Sequence, residues 1–407
     1  MSMLRDRRLA ALLAAEAISS TGTQMTWVAI PWFVLRSTGS PQRMTWVIIA
    51  EVLPVALLGF WGGAIAAHVG TRRTMLVCDL LRAPLFAAIP ALHSLGLLPF
   101  PVLLALVAAS GVFLAPYFSV QRSVLPELVG EEQADVAHAT AFFQAANRLT
   151  IFVGPPLAGV LISLIGASPV LYVDAASYLL SFLLLALFVH PPQVETEDER
   201  PSALAGVRFL LRDRLLRVWT PAFTLIDVCW MLLFASLPVL VVTHYHANPR
   251  ILGWLFGALG GGALVGAFVS MWTVRRFEDP LALGTVGFVL QIASLWILVV
   301  PAPWPVPFAA MALSGFAMSN VNAPIQALTM LRMPKEVRTQ GVAAFGVFQC
   351  IASPVGLLLA GWALARYDTR SVLVVVLGAK TLAVVAFAAA AIAERSSLRA
   401  AAVDSAV

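Results

Sequence analysis

Twelve continuous apolar runs, each about as long as a bilayer is thick, punctuate this chain. They fall at about 9–35, 44–67, 74–94, 98–120, 136–164, 168–189, 216–242, 251–272, 281–300, 306–330, 339–364 and 371–393. An α-helix needs roughly 20 apolar residues to cross the hydrocarbon layer, whereas a barrel strand needs about 9–11 of alternating character. These runs do not alternate, so they predict an all-α membrane protein with twelve transmembrane helices. Prolines inside them, such as Pro54, Pro84, Pro116 and Pro155, are compatible with helix because neighbouring helices satisfy the freed backbone groups. Only 12% of the 407 residues are charged, against about 25% in a soluble domain. That excludes a disulfide-stapled secreted scaffold, a disordered chain and an ordinary cytosolic enzyme. Cys78, Cys229 and Cys350 lie inside apolar runs and read as small membrane-buried side chains, not as a disulfide or a metal site.

Arg5, Arg7 and Arg8 ahead of Leu9–Ala15 imitate a leader peptide, but the apolar run continues to Leu35, so a retained first helix is expected. With the N-terminus inside, the inner segments hold eighteen of the 26 basic residues and the outer loops five, leaving Arg82, Arg148 and Lys380 within spans. The positive-inside rule then places both termini in the cytoplasm, and the expected location is the cell's inner (plasma) membrane. Because the basic residues are scattered among short loops, the net charge of +5 is a topology signal and no nucleic-acid partner is expected. The longest connection, 190–215, carries Glu195-Thr-Glu-Asp-Glu199 and then Ala203–Arg217. There Leu204, Val207, Leu210, Leu211 and Leu215 oppose Arg208, Arg212 and Arg214, as in a helix lying on the membrane surface. It divides the chain into a six-helix bundle at 1–189, a linker at 190–215 and a second bundle with a short tail at 216–407. The halves look duplicated: Gly63-Ala64 precedes Arg72-Arg73 by the same spacing as Gly266-Ala267 precedes Arg275-Arg276. Pro31 and Pro238 also sit at a similar offset. Related halves with a site between them recur among transporters.

At these residues the chain resembles the major facilitator superfamily, over nearly its whole length. Gly63-Ala-Ile-Ala-Ala67-His68-Val-Gly70-Thr-Arg72-Arg73 follows the family's loop motif between spans 2 and 3, with Ala67 at the usual acidic position. Leu125-Pro-Glu-Leu-Val129, Tyr172-Val-Asp174-Ala-Ala-Ser-Tyr178 and Cys78-Asp79-Leu-Leu-Arg82 are similar to the drug and siderophore exporter branch, which includes enterobactin exporters and macrolide efflux proteins. Gly154-Pro155 and Gly159 partly match the antiporter motif of span 5, with Ala158 where a glycine is usual. The resemblance implies two pseudo-symmetric bundles, an inner gate at Gly63, Gly70, Arg72, Arg73, Asp79 and Arg82, and proton-driven efflux of a small amphipathic compound. The protein is expected to work as a monomer among membrane lipids, without cofactor or metal.

Eight ionisable residues fall within spans: Glu16, Glu51, Asp79, Arg82, Arg148, Asp174, Asp227 and Lys380. Such groups are costly in a membrane and usually functional. Five are acids and three are bases, so complete pairing still leaves two carboxyls that must hold a proton or reach water. Asp79 and Arg82, three residues apart on one helix, predict a local ion pair. Asp174 and Lys380 read as structural, because the resemblance puts spans 6 and 12 on the supporting side. Glu16, Glu51, Arg148 and Asp227 lie on spans that line the cavity in the family. Polar stripes accompany three of them: Glu16 with Ser19, Ser20, Thr23 and then Trp27; Gln144 and Asn147 with Arg148; Thr220 and Thr224 with Asp227. Arg148 and Asp227 lie about 15–20 Å from the cytoplasmic face, near the midplane. The sharper reading makes Asp227 the proton carrier biased by Arg148, with Glu16 as rival; the plainer one makes Arg148 half of a permanent bridge. Phe142, Phe143, Trp230, Phe234 and Phe348 with Asn320, Asn322, Gln326 and Gln349 suit an amphipathic ligand. Gly257, Gly260, Gly261, Gly262 and Gly266 permit close helix approach. No Walker loop, Gly-x-Ser-x-Gly elbow or His-Glu-x-x-His helix is present. A lysophospholipid flippase of the same fold, a nutrient importer and a membrane-embedded enzyme remain as alternatives.

Overall fold

The computed structural model describes residues 7–121, 124–129, 133–189, 208, 210, 212–213, 215–276, 280–333 and 335–404. Among them all regular structure is helical. The first half holds α1 (Arg7–Thr38), α2 (Pro41–Val69), α3 (Thr71–Ser94), α4 (Phe100–Val120), a short α5 (Val124–Val129), α6 (Gln133–Ile165) and α7 (Ala167–Phe188). The second holds α8 (Leu216–His244), α9 (Pro249–Arg276), α10 (Pro280–Trp296), α11 (Pro305–Arg332), α12 (Lys335–Leu364) and α13 (Thr369–Asp404). The twelve apolar runs each seed one long helix. Nine of these helices are long and apolar enough, among the described residues, to cross a membrane. Around α1 the apolar signal is diluted by Ser19, Ser20, Thr21, Thr23, Gln24 and Thr26. Large apolar side chains stand open on the periphery, with Leu382 and Val375 each 71% exposed. A water-soluble surface would not carry so many; lipid is their solvent.

Short turns set the helix ends. Gly70 adopts φ +88° between α2 and α3, a conformation that glycine takes without steric penalty. Asp213 opens α8 by accepting the backbone N–H groups of Leu215 and Leu216, both at 2.9 Å, the standard use of a carboxylate at a helix start. Leu210 and Leu215 are buried in the core beside Trp219. This part of the linker's apolar face is therefore taken up by protein, where the sequence pattern predicts a membrane-surface contact. The rest of 190–215 lies largely outside the described residues.

Contacts divide the chain into two compact units, one of Met1–Glu199 with Leu237–Gly260, the other of Arg200–Ser236 with Gly261–Val407. In the first unit Leu9, Leu12, Met75, Tyr117, Val120, Leu125 and Phe143 form one core. The core of the second unit is aromatic: Trp219 stacks on Phe387 at 4.5 Å between ring centroids, and Phe288 meets Phe387 edge-on at 5.0 Å. The three cysteines are free; Cys78 and Cys229 are buried, and Cys350 lies on the surface of α12.

Candidate functional site

Five helices of the first unit converge on a buried cluster of four acids and one guanidinium. On α1, Glu16 takes hydrogen bonds from the Tyr117 hydroxyl of α4 at 2.8 Å and from Ser20, one turn on, at 3.1 Å. On α7, Asp174 takes one from Thr26 of α1 at 2.5 Å and one from Ser177 at 3.2 Å. Gly22 makes this junction possible: a Cβ there would collide with Ser177 Oγ and Asp174 Oδ1. Asp79 of α3 is served by Ser181 of α7 at 2.6 Å. Glu51 of α2 is buried, and its Oε1 has no hydrogen-bond partner. Gly111 of α4 lets the two backbones touch there, since a Cβ would strike the Glu51 carbonyl.

Arg82 is the cation of this cluster. Its Nε donates to Ser110 at 3.3 Å, and its guanidinium carbon lies 4.2 Å from the Tyr178 ring centroid, a cation–π distance. Electrostatically it faces Glu51, Asp79 and Asp174. The helical spacing of Asp79 and Arg82 predicts a direct pair, but Asp79 turns to Ser181 while Arg82 turns to Ser110 and Tyr178. Asp79 Oδ1 and one terminal nitrogen of Arg82 are left without a hydrogen bond. The charge of Arg82 acts on all four carboxylates, while its contacts go to Ser110 and Tyr178. Removing one donor gives a measurable check. Tyr117→Phe takes from Glu16 its phenolic hydrogen bond and is expected to cost about 1–3 kcal/mol, seen as a lowered melting temperature in detergent.

The second unit holds a smaller group. Asp227 of α8 accepts a hydrogen bond from Gln349 of α12 and has Lys380 of α13 as its electrostatic neighbour. Lys380 is fully buried, with its Nζ 4.8 Å from the Trp230 ring centroid, one turn beyond Asp227. Asp227 Oδ2 has no hydrogen-bond partner. The sequence spacing makes Arg148 the group that biases Asp227 and Lys380 a structural group; within the second unit Lys380 also acts on Asp227. Among the described residues no group of three His, Cys, Asp or Glu is arranged to hold a metal ion.

A family model for the Major Facilitator Superfamily matches residues 12–357. The chain belongs to this superfamily. It is 28% identical over 363 residues to the multidrug efflux pump Tap of Mycolicibacterium fortuitum, covering 86% of this chain and 87% of that protein. It is 20% identical to macrolide efflux protein A of Streptococcus pyogenes, over 85% and 86% of the two chains. Among solved structures, the nucleoside transporter NupG (D323A mutant) aligns with a TM-score of 0.77 at 10% identity, covering 94% of this chain and 99% of that one. A bacterial homologue of the iron transporter ferroportin in an inward-facing state aligns with a TM-score of 0.73 at 17% identity, over 96% and 100%. The fold is thus the major facilitator fold, and the protein is a multi-pass membrane protein of a transporter family.

The remaining candidates of this superfamily member divide by environment. Arg148 is exposed on α6, with Gln144 and Asn147 half-buried on the same stripe. Thr23 pairs with the Tyr178 hydroxyl at 2.9 Å, and Trp27 is half-buried. Phe143 departs from the cavity-wall expectation: it is 1% exposed and packed in the first unit's core, while Phe142 is 40% exposed. Consecutive helical residues point about 100° apart, so only one of the two can leave the core. Asn320 is also consumed by packing, donating to the carbonyls of Phe316 and Gly266 and accepting from Thr273. Arg72 reaches the carbonyl of Ala186 at the end of α7, 2.8 Å away, and Arg73 is exposed. Gly154 allows α6 against Gln24 of α1, and Gly159 and Pro155 touch Gly253 of α9. The surroundings of Gly63, Asn322 and Gln326 lie outside the described residues.

Proposed function

We propose that this protein is a secondary active exporter of small amphipathic compounds, drawing on proton entry and working by alternating access. In this reading it sits in the plasma membrane with both termini cytoplasmic, as two six-helix lobes joined by 190–215. The observation that carries the proposal is the gathering of Glu16, Glu51, Asp79 and Asp174 around the single guanidinium of Arg82. Four carboxylates and one cation in a dry site would carry a net charge of −3 if all were ionised. Burying one uncompensated ion costs several kcal/mol, so protons or water must enter this cluster during a working cycle. The similarity to efflux pumps over most of both chains supports the outward direction and the amphipathic substrate class. Half-buried Asp227, with one buried oxygen lacking a hydrogen-bond partner and Gln349 and Lys380 beside it, is the group that we place where substrate and proton compete.

The test is transport into inverted vesicles with an imposed pH gradient and a panel of lipophilic drugs and siderophores. Accumulation that collapses when the gradient is dissipated is the expected result. Movement of lysolipid without a gradient would replace the exporter by a flippase. In liposomes, Asp227→Asn is expected to abolish substrate-driven proton flux; a well-folded variant with normal coupled flux would remove Asp227 from the coupling role.

A further inference from the structure

The second unit contains an apolar cavity of about 300 Å³ where α12 turns into α13. Leu232 of α8, Leu359 and Trp362 of α12, Tyr367 of the turn and Val372 and Val376 of α13 line it. The apolar stretch of α12 ends at Leu364 and that of α13 begins at Thr369, so residues 365–368 sit at the membrane–water boundary. Trp and Tyr favour that depth, and Trp362 and Tyr367 are both half exposed. Two cations neighbour lining residues. Arg366 lies over the Trp362 ring at 5.1 Å and donates to the Trp362 carbonyl, and Arg370 precedes the lining residue Ser371. Asp368 is committed to capping α13 through the Arg370 backbone N–H. Among the described residues neither guanidinium is ion-paired.

We infer that this cavity binds one anionic phospholipid, with an acyl chain inside and the headgroup phosphate on Arg366 and Arg370. The chemistry of the lining decides between tail and drug. A specific drug pocket carries convergent polar groups, and here the surface facing the cavity is apolar. The volume is at the small end for a ligand site, about 300–1,000 Å³, and suits part of one chain. Two basic side chains at the boundary favour a headgroup of net negative charge over a zwitterionic one, whose own ammonium offsets its phosphate.

The full-length protein in detergent is titrated with phosphatidylglycerol, phosphatidylethanolamine or phosphatidylcholine of matched chains and read by native mass spectrometry. One phosphatidylglycerol is expected to bind about tenfold more tightly than phosphatidylcholine. The Arg366→Gln/Arg370→Gln variant should erase that preference while leaving phosphatidylcholine binding unchanged. Ser371→Phe, which fills the cavity, should weaken all three lipids at this stoichiometry while the size-exclusion profile stays that of the folded protein. Equal binding of the three lipids, or unchanged phosphatidylglycerol binding in either variant, overturns the assignment. So does displacement of the bound lipid by tetraphenylphosphonium, which would make the cavity a substrate site.

Discussion

Replacing Arg82 by alanine is expected to destabilise the first unit by about 3–5 kcal/mol, the usual cost of leaving a buried ionic partner uncompensated. Arg82 is almost wholly buried, rests on the Tyr178 ring, and faces Glu51, Asp79 and Asp174. The variant loses the cation–π contact, the bond to Ser110 and the sole positive charge of the cluster together. Lysine at this position keeps a charge but not the planar group that lies on Tyr178, so Arg82→Lys should recover only part of the loss. Adding Glu51→Gln to Arg82→Ala should recover more than Glu51→Gln gains alone, because the two side chains share one electrostatic balance and their effects are not additive. Melting temperatures of the parent and the four variants in one detergent provide the measurement. An Arg82→Ala variant as stable as the parent would mean that the four acids do not depend on this cation.

That prediction was not legible in the sequence, although its parts were. The helices followed directly from the runs, since a continuous apolar stretch of bilayer length has one stable backbone solution in lipid. The ends shifted by a few residues, as where 281–300 became α10 ending at Trp296 and a 3-10 turn at Ile297–Val299. The six-residue α5 was missed because it is too short to show a period. The polar stripe of Glu16, Ser20 and Thr23 was readable because all three share one helical face. Their partners were not. Tyr117 and Tyr178 come from other helices, 101 and 155 residues away from Glu16 and Thr23, and one chain's sequence contains no signal for such pairings. Local spacing misled for Asp79 and Arg82, where two serines from α4 and α7 outbid the neighbour on α3. It also misled for Phe143, whose aromatic character fits a cavity and a core equally well.

The α6–α9 seam of the first unit provides a prediction of opposite sign at chemically identical sites. A Cβ at Gly260 would lie 2.7 Å from the Ile151 carbonyl oxygen and 2.9 Å from the Phe152 Cα. One at Gly253 would lie 2.5 Å from the Pro155 carbonyl and 3.0 Å from the Gly159 Cα. The obstacles are backbone, so no side chain can rotate away; the helices themselves must separate. In lipid, helix association depends on such close van der Waals contact. Gly253→Ala and Gly260→Ala are therefore expected each to cost about 1–3 kcal/mol, as overpacking of a tight site does. At Gly346 of α12 and Gly378 of α13 a Cβ would meet nothing within 4 Å. Alanine at either should be neutral or stabilise by up to about 1 kcal/mol, because glycine is the poorer helix former. Melting temperatures of the four single variants separate the two outcomes. A lowering at all four would assign the effect to glycine-dependent flexibility. A lowering confined to positions 253 and 260 would assign it to the contact between backbones, and would make this seam a place where one added methyl group holds two helices apart.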